Sequence, residues 1–385
     1  MSGSRRIKPH PFRVYYVPVL LLALAGLLDS AYLSYSHYRV YTDISYSSFC
    51  AVSKAINCDT VSQSPYAIFL DIPVPVWGVI GYLFLVILVV FAGLDKSRDK
   101  SGWTLLTVIC GAYSAYSIVL ALISNYLIHS YCIMCIASYG INFALLVYCW
   151  LIRRRFSVDP FWKGLYGDAL FFASLPKHQV VTGIFGLAVI STLVFLPEYW
   201  KMGYGTLNIN LPHGMTEDGH PWIGAENPEL TIVEFTDYLC FQCRKMHYYL
   251  RRLVEAHPDK IRLVHRHFPV DNKFNPLIKD KFHVGSGKLA LLAIYAAQKG
   301  KFWEASDLLF QVPRENLPLP AVAEMTGLDA RELAWALRSE WIRYLLLNDI
   351  REGLKLGVVG TPTYVINNEM YLGIIPQHVV SAIVD

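Results

Sequence analysis

Six of the eight cysteines in this chain fall into pairs by spacing alone: Cys50 with Cys58, Cys132-Ile133-Met134-Cys135, and Cys240-Phe241-Gln242-Cys243. Thiols this close along a chain can close disulfides. A series of such pairs can hand electrons on, each thiolate attacking the next disulfide. The first two pairs sit at the edges of apolar segments and the third lies in a more polar tail. The pattern therefore reads as a relay between a soluble dithiol and an acceptor dissolved in the bilayer. Cys110 and Cys149 have no partner at a useful spacing and read as structural.

Other roles stay open at this level. Cys50 and Cys58 can equally staple an external loop as a static disulfide. Cys132 and Cys135 can be inert thiols, since free cysteine is common in apolar cores. All four can be read as a zinc set, although two ligands would then come from a long loop and two from a helix end.

The elements that position these groups divide into membrane and soluble parts. With 54% hydrophobic and 17% charged residues over 385 positions, the chain is too apolar for an ordinary soluble enzyme. Its net charge of +4 gives no argument for nucleic acid, because the basic residues cluster beside hydrophobic runs. Five runs, at about 14–36, 75–94, 103–128, 131–152 and 179–197, approach the roughly 20 residues a bilayer span needs. The last four hold no charge and the first holds only Asp29, which reads as an interfacial hydrogen-bonding acid more than a catalytic one. No small-residue cleavage site follows the first run, so it reads as a span and not as a signal peptide.

Loop charge predicts the orientation. Arg5, Arg6, Lys8 and Arg13 precede span one; Lys96, Arg98 and Lys100 follow span two; Arg153, Arg154, Arg155, Lys163 and Lys177 follow span four. The alternate loops hold only Arg39 and Lys54. The positive-inside rule puts the N-terminus in the cytoplasm and, after five spans, the tail outside. All three cysteine pairs then share the outer side, where disulfides persist.

From about residue 209 the pattern changes to short periodic stretches. Residues 230–236 read as a buried strand, 244–257 as a helix stopped by Pro258, and 261–267 as an alternating strand. Residues 288–355 read as helical with breaks at Gly300, Pro318, Pro320 and Gly327. A hairpin turns at Asn367-Asn368, and Pro376 opens a last helix. Strand, Cys-x-x-Cys, helix is the context of a thioredoxin-like redox motif. The first thiol stands at a helix N-terminus, where free N–H groups favour a thiolate. His247, one turn below Cys243, reads as lying on a solvated helix face.

Gly360-Thr361-Pro362-Thr363-Tyr364 sets a proline directly before a strand. With the Cys-x-x-Cys and the helical insert, the tail resembles a DsbA-like thioredoxin-fold oxidoreductase over roughly residues 215–385. The resemblance implies that Cys240 is the exposed nucleophile, Cys243 the resolving thiol, and Pro362 a cis-proline lining substrate. It makes Glu234, six residues before Cys240, the buried proton-moving acid. Such domains often carry Pro-His or Pro-Tyr between the cysteines, whereas this chain has Phe241-Gln242, which supplies no imidazolium.

The loop pair Cys50/Cys58, Ser64, Trp77-Gly78 and the Cys-x-x-Cys opening the fourth span together resemble the vitamin K epoxide reductase family over about residues 14–155. That family implies a four-helix transmembrane core, and bacterial members are often fused through a fifth helix to a thioredoxin-like domain. In the resemblance Cys135 contacts a quinone, Cys132 exchanges with the loop pair, and Ser64 and Tyr139 lie near the quinone. Animal members place an asparagine where this chain has Val74.

The expected architecture is mixed: a transmembrane domain at 14–155, a cytoplasmic segment with fifth span and linker at 156–208, and a thioredoxin-like α/β domain with a helical insertion at 209–385. The expected activity is a membrane thiol oxidase forming disulfides in cysteine-containing exported proteins. Electrons would run from Cys240/Cys243 through Cys50/Cys58 and Cys132/Cys135 to ubiquinone or menaquinone, with no metal. A reductase or isomerase running the other way, and a membrane-tethered binding protein with structural cysteines, are the competing expectations.

Overall fold

The computed structural model describes residues 11–380, except 45, 53–55, 95–99, 158, 202–206, 208–209, 312–318 and 377. Arg5, Arg6, Lys8, Lys54, Lys96, Arg98 and Pro318 therefore lie outside the described residues, as does the expected last helix beyond 380, of which only 378–380 are seen as helical. The chain divides into two compact units, Met1–Trp200 and Lys201–Asp385.

The first unit opens with α1 (Phe12–Thr42), followed by the one-and-a-half-turn α2 (Cys58–Gln63) and a small hairpin, β1 (Ile68–Phe69) and β2 (Ile72–Pro73). Then come α3 (Val74–Leu94), α4 (Trp103–Ile123) extended by a wider turn at Ser124–Ile128, α5 (Ile133–Phe156), α6 (Phe161–Ser174) and α7 (Pro176–Phe195). Five of these helices are long and apolar enough to cross a bilayer, at the five places read from the sequence. The inward faces of four of them share one core, with Val19 and Ala23 of α1, Leu85 and Leu88 of α3, Trp103 and Leu106 of α4, and Leu145 and Ile152 of α5. Outward faces remain apolar, as at Leu28, Leu122 and Val147, which suits lipid and not water. Lipid gives helices no hydrophobic reason to associate, so close backbone approach matters. A Cβ at Gly26 would stand 2.2 Å from the Tyr82 ring, so α1 and α3 meet there only because Gly26 has none.

α6 falls within the stretch read from the sequence as a cytoplasmic segment before the fifth span, where no helix was expected. Its Asp168 is buried and caps α4: Oδ1 accepts from Gly102 N–H at 2.6 Å, and Oδ2 accepts from Thr104 and Leu105 N–H at 2.7 and 3.1 Å. One carboxylate so satisfies three N–H groups at a helix start that has no local cap. A second correction concerns Cys110 and Cys149. Carried by α4 and α5, their sulfurs lie 3.8 Å apart and both are buried. Sequence spacing hid this because the pairing is made by helix packing.

The second unit is a six-stranded sheet flanked by helices. Its elements are β3 (His213–Met215), β4 (Pro221–Gly224), β5 (Leu230–Thr236), α8 (Phe241–Ala256), β6 (Ile261–His267), α9 (Ser286–Gln298), α10 (Phe302–Gln311), α11 (Leu319–Thr326), α12 (Ala330–Ala336), α13 (Glu340–Leu356), β7 (Thr363–Ile366) and β8 (Glu369–Leu372). The order across the sheet is β3-β4-β6-β5-β7-β8, with β5 and β6 parallel and the other pairs antiparallel. α8 connects the parallel pair, as a crossover must. β3 and β4 escape the sequence reading because three- and four-residue strands show no periodicity; they exist through pairing, β3 with β4 and β4 with β6. Gly300 and Gly327, with φ of 68° and 67°, end helices as their type predicts, and Asn367 and Asn368 turn the last hairpin with φ of 50° and 65°. Phe235 and Phe268, both without exposed surface and edge-to-face at 6.3 Å, centre the core. Burial of each such ring contributes about 2–3 kcal/mol.

Candidate active sites

In the membrane unit, Cys132 is the N-cap of α5, and its Sγ accepts from the backbone N–H of Cys135 at 3.2 Å. Cys50 and Cys58 form a disulfide, and both pack with Cys132 and Leu33 in one small cluster, with Cys135 against it. The loop is stitched to the head of α5 by backbone bonding. Asn57 N–H donates to Tyr131 O at 2.9 Å, and Ile56 bridges Tyr131. Asn57 in turn caps α2, its side chain accepting from Thr60 N–H at 3.0 Å. Two of the four cysteines weighed as zinc ligands are thus spent in a disulfide.

Beside these sulfurs lies a cavity of about 690 Å³, lined by Cys132, Cys135, Ser64, Tyr139, Trp77 and Tyr116 among others. Sites for small organic ligands typically measure about 300–1,000 Å³, with apolar walls and few polar groups. Ser64, Cys135 and Tyr139 therefore share one wall system, and Val74 lines it too. Ser64 follows α2, and its hydroxyl donates to Val61 O at 2.8 Å. Gly78 is needed here because a Cβ would stand 2.6 Å from Ser30 Oγ. Polar lining groups that the sequence reading did not single out are chained together: Tyr82 Oη donates to Asn142 Oδ1 at 2.7 Å, and Asn142 Nδ2 donates to Ser117 Oγ at 2.9 Å. Asp29 does not lie at a helix end as an interfacial acid would. It is 8% exposed at mid-α1 and accepts a hydrogen bond from Ser138 of α5.

In the second unit, Cys240 is the N-cap of α8, its Sγ accepting from Cys243 N–H at 3.3 Å. The Thr361–Pro362 peptide is cis, and Thr361 O accepts from Cys240 Sγ at 3.5 Å. This packing leaves Cys240 8% exposed against none for Cys243, so the expected exposed nucleophile is only the more accessible of two buried thiols. The hydrogen bond with Cys243 holds the Cys240 thiol below its ordinary pKa; burial opposes this and the charge of His283 assists it. Burial, then the bond to Cys240, pushes Cys243 well above.

His283 supplies what Phe241-Gln242 lacks. Its Nδ1 stands 3.2 Å from Asp237 Oδ2. Burial disfavours the imidazolium, but the Asp237 charge and hydrogen bond together raise its pKa. Asp237 is itself buried and accepts from Leu239 and Val270 N–H at 2.7 and 2.6 Å. No motif marks His283, forty-three residues after Cys240, and only the loop path brings its charge to bear.

Glu234 is fully buried on β5, directly opposite His265 of β6 and Tyr364 of β7. Its Oε1 lies 2.8 Å from His265 Nδ1, and Oε2 has no partner among the described residues. Burial raises its pKa to about 7. His265 continues to His267, ring nitrogens 3.2 Å apart, and burial drives both well below the ordinary histidine range. His247 corrects the solvated-face reading: it is wholly buried, with Nε2 2.7 Å from Asp307 Oδ1. Asp307 also binds Arg251 at 3.0 Å, so the α10 insert covers the face of α8 that the pattern left to solvent.

Residues 17–150 match the model of the vitamin K epoxide reductase family, and residues 216–385 match one described as thioredoxin. Among curated proteins, a Na(+)/H(+) antiporter NhaA of Herminiimonas arsenicoxydans is 25% identical over 217 residues, 54% of this chain and 33% of the relative. An antiporter NhaA 3 of Salinispora tropica is 28% identical over 39% of this chain and 22% of its own. The chain spans at most about a third of these relatives. Among solved structures, a thioredoxin-like oxidoreductase from Silicibacter pomeroyi is 25% identical over 44% of this chain and 92% of its own, with a TM-score of 0.34. DsbA2 of Pseudomonas aeruginosa is 24% identical over 43% and 91%, with a TM-score of 0.33. The chain therefore joins a domain of the vitamin K epoxide reductase family, residues 17–150, to a thioredoxin-like domain, residues 216–385, and carries five helices long and apolar enough to cross a membrane.

Proposed function

We propose that the protein is a membrane thiol oxidase that makes disulfide bonds in exported, cysteine-containing proteins and delivers the electrons to a quinone. Client thiols reduce the Cys240–Cys243 disulfide: a first client thiolate attacks Cys240 and releases Cys243, and the client's second thiol then closes the client disulfide and releases Cys240, whose thiolate is favoured by the α8 N-terminus and His283. Cys240 then attacks the Cys50–Cys58 disulfide, and the freed loop thiol attacks the Cys132–Cys135 pair. Glu234 holds or releases the proton that Cys243 exchanges, and Pro362 lines the client strand. A quinone accepts two electrons and two protons and is mobile in lipid. Cys135, Ser64 and Tyr139 would hold its head group.

The observation that carries the reading is the cavity of about 690 Å³ against Cys135, with the loop disulfide packed beside Cys132. A dithiol relay alone has no need of an apolar chamber at its last thiol. The loop charges support an orientation with the N-terminus in the cytoplasm and the tail periplasmic or extracytoplasmic. The test is purified protein with a reduced dithiol peptide and a short-chain quinone, following quinone absorbance. Quinone-dependent peptide oxidation is expected. With Cys135→Ala, the tail should accumulate reduced; a tail that stays oxidised under substrate would break the proposed order.

A further inference from the structure

We infer that Asp29, acting through Ser138, is a proton-relaying positioning residue for the cavity beside Cys135; this rests on the proposed reduction of a quinone there. Asp29 is the one Asp, Glu, Lys or Arg between Arg13 and Arg39, and its side chain is buried. An ionisable group placed so deep in an apolar helix is costly unless it is used. Ser138 Oγ donates to Asp29 Oδ2, while Oδ1 is buried with no partner among the described residues. Ser138 stands one turn after Cys135 on the same face of α5, and both line the cavity, which Asp29 does not.

The pair has two hydrogen-bonding states. With a carboxylate, the Ser138 proton is committed to Asp29 and its oxygen offers only lone pairs to the cavity. With a carboxylic acid, Asp29 donates to Ser138 and the serine proton is free to point outward. One proton on Asp29 therefore reverses what Ser138 presents. An asparagine would satisfy the same serine without this property.

The balance closes without water. As the Cys132–Cys135 bond forms, two S–H bonds break and two electrons pass to the quinone, which gains two O–H bonds. Ser138 gives its proton to the acceptor oxygen and takes one from Asp29. One thiol proton restores Asp29, and the other completes the quinol. The ionisable groups facing Asp29 are Tyr82 of α3 and Cys132 and Cys135 at the head of α5. On α2, Cys58 is held in the disulfide and the Asp59 carboxylate accepts from Ser48 N–H.

The experiment uses the full-length protein in nanodiscs, wild type, Asp29→Asn and Ser138→Ala. A short-chain quinone is titrated against tryptophan fluorescence, since Trp77 lines the cavity. Quinone reduction is followed against pH, and infrared difference spectra are taken on reduction by dithiol. Asp29→Asn should bind the quinone within about 2-fold of wild type but reduce it roughly 10²-fold more slowly, with the pH dependence flattened. A carboxyl band should appear in wild type and be missing from the variant. Ser138→Ala should repeat the kinetic loss and Ser138→Thr restore it, which covers an Asp29→Asn chain that does not fold. A wild-type rate in Asp29→Asn, equal losses of binding and rate in both variants, or no carboxyl band overturns the relay alone. A wild type that reduces no quinone overturns the proposed function and the relay with it.

Discussion

Replacing Glu234 by glutamine should make the second unit more stable at neutral pH while slowing its thiol chemistry. The carboxyl has no exposed surface, and burial raises its pKa from 4.5 to about 7. Between those values the folded chain holds a proton that the unfolded chain releases. Stability therefore falls as pH rises through the interval and levels off above about 7. The gap of about 2.5 units corresponds to about 3 kcal/mol of native stability present in acid and missing at higher pH. Glutamine keeps the acceptor oxygen for His265 at the 2.8 Å position but cannot ionise, so the slope should vanish. The assay is hydrogen exchange of β5 and β6 amides in the intact protein, corrected for intrinsic rates, from about pH 5 to about pH 8. Client-dithiol oxidation measured alongside should drop about 10²-fold, the usual scale of a lost proton-transfer group. A wild type whose β5 protection is flat or rises over that range refutes the argument. So does a glutamine variant with an unchanged slope.

His283→Ala should raise the pH at which Cys240 becomes a thiolate, because it removes the assisting charge; ultraviolet absorbance of the thiolate measures it, and an unmoved titration would show that the α8 N-terminus suffices. Asp168→Ala leaves three N–H groups at the start of α4 without their acceptor and should destabilise the membrane unit by about 1–3 kcal/mol, read as a lower melting temperature in micelles. Replacing Cys110 and Cys149 together by alanine should leave quinone reduction intact, since both are buried in the helical core and neither lines the cavity; a lost rate would give that pair a part in the relay.

Much of the architecture was legible in the chain. Spans are written as long uncharged runs because lipid tolerates little else, and all five appear as helices at the expected places. The strand, Cys-x-x-Cys and helix of the tail were likewise legible, because local pattern and helix-end chemistry are properties of short segments. α6 was missed because its length and its two glycines, Gly164 and Gly167, weaken any periodic signal, and its Asp168 finds its role only against α4.

What the sequence determined by itself is the set of reactive groups and the elements that hold them, since spacing of 3.6 or 2 residues and helix ends act locally. Tertiary packing decided which groups meet: Cys110 with Cys149, Asp29 with Ser138, His283 with Asp237, and Glu234 between His265 and Tyr364. Each of these pairs is separated by about thirty residues or more along the chain, the strand-aligned ones included, and no local preference encodes such distances. Their chemistry depends on burial, and burial is created only when the elements close over one another.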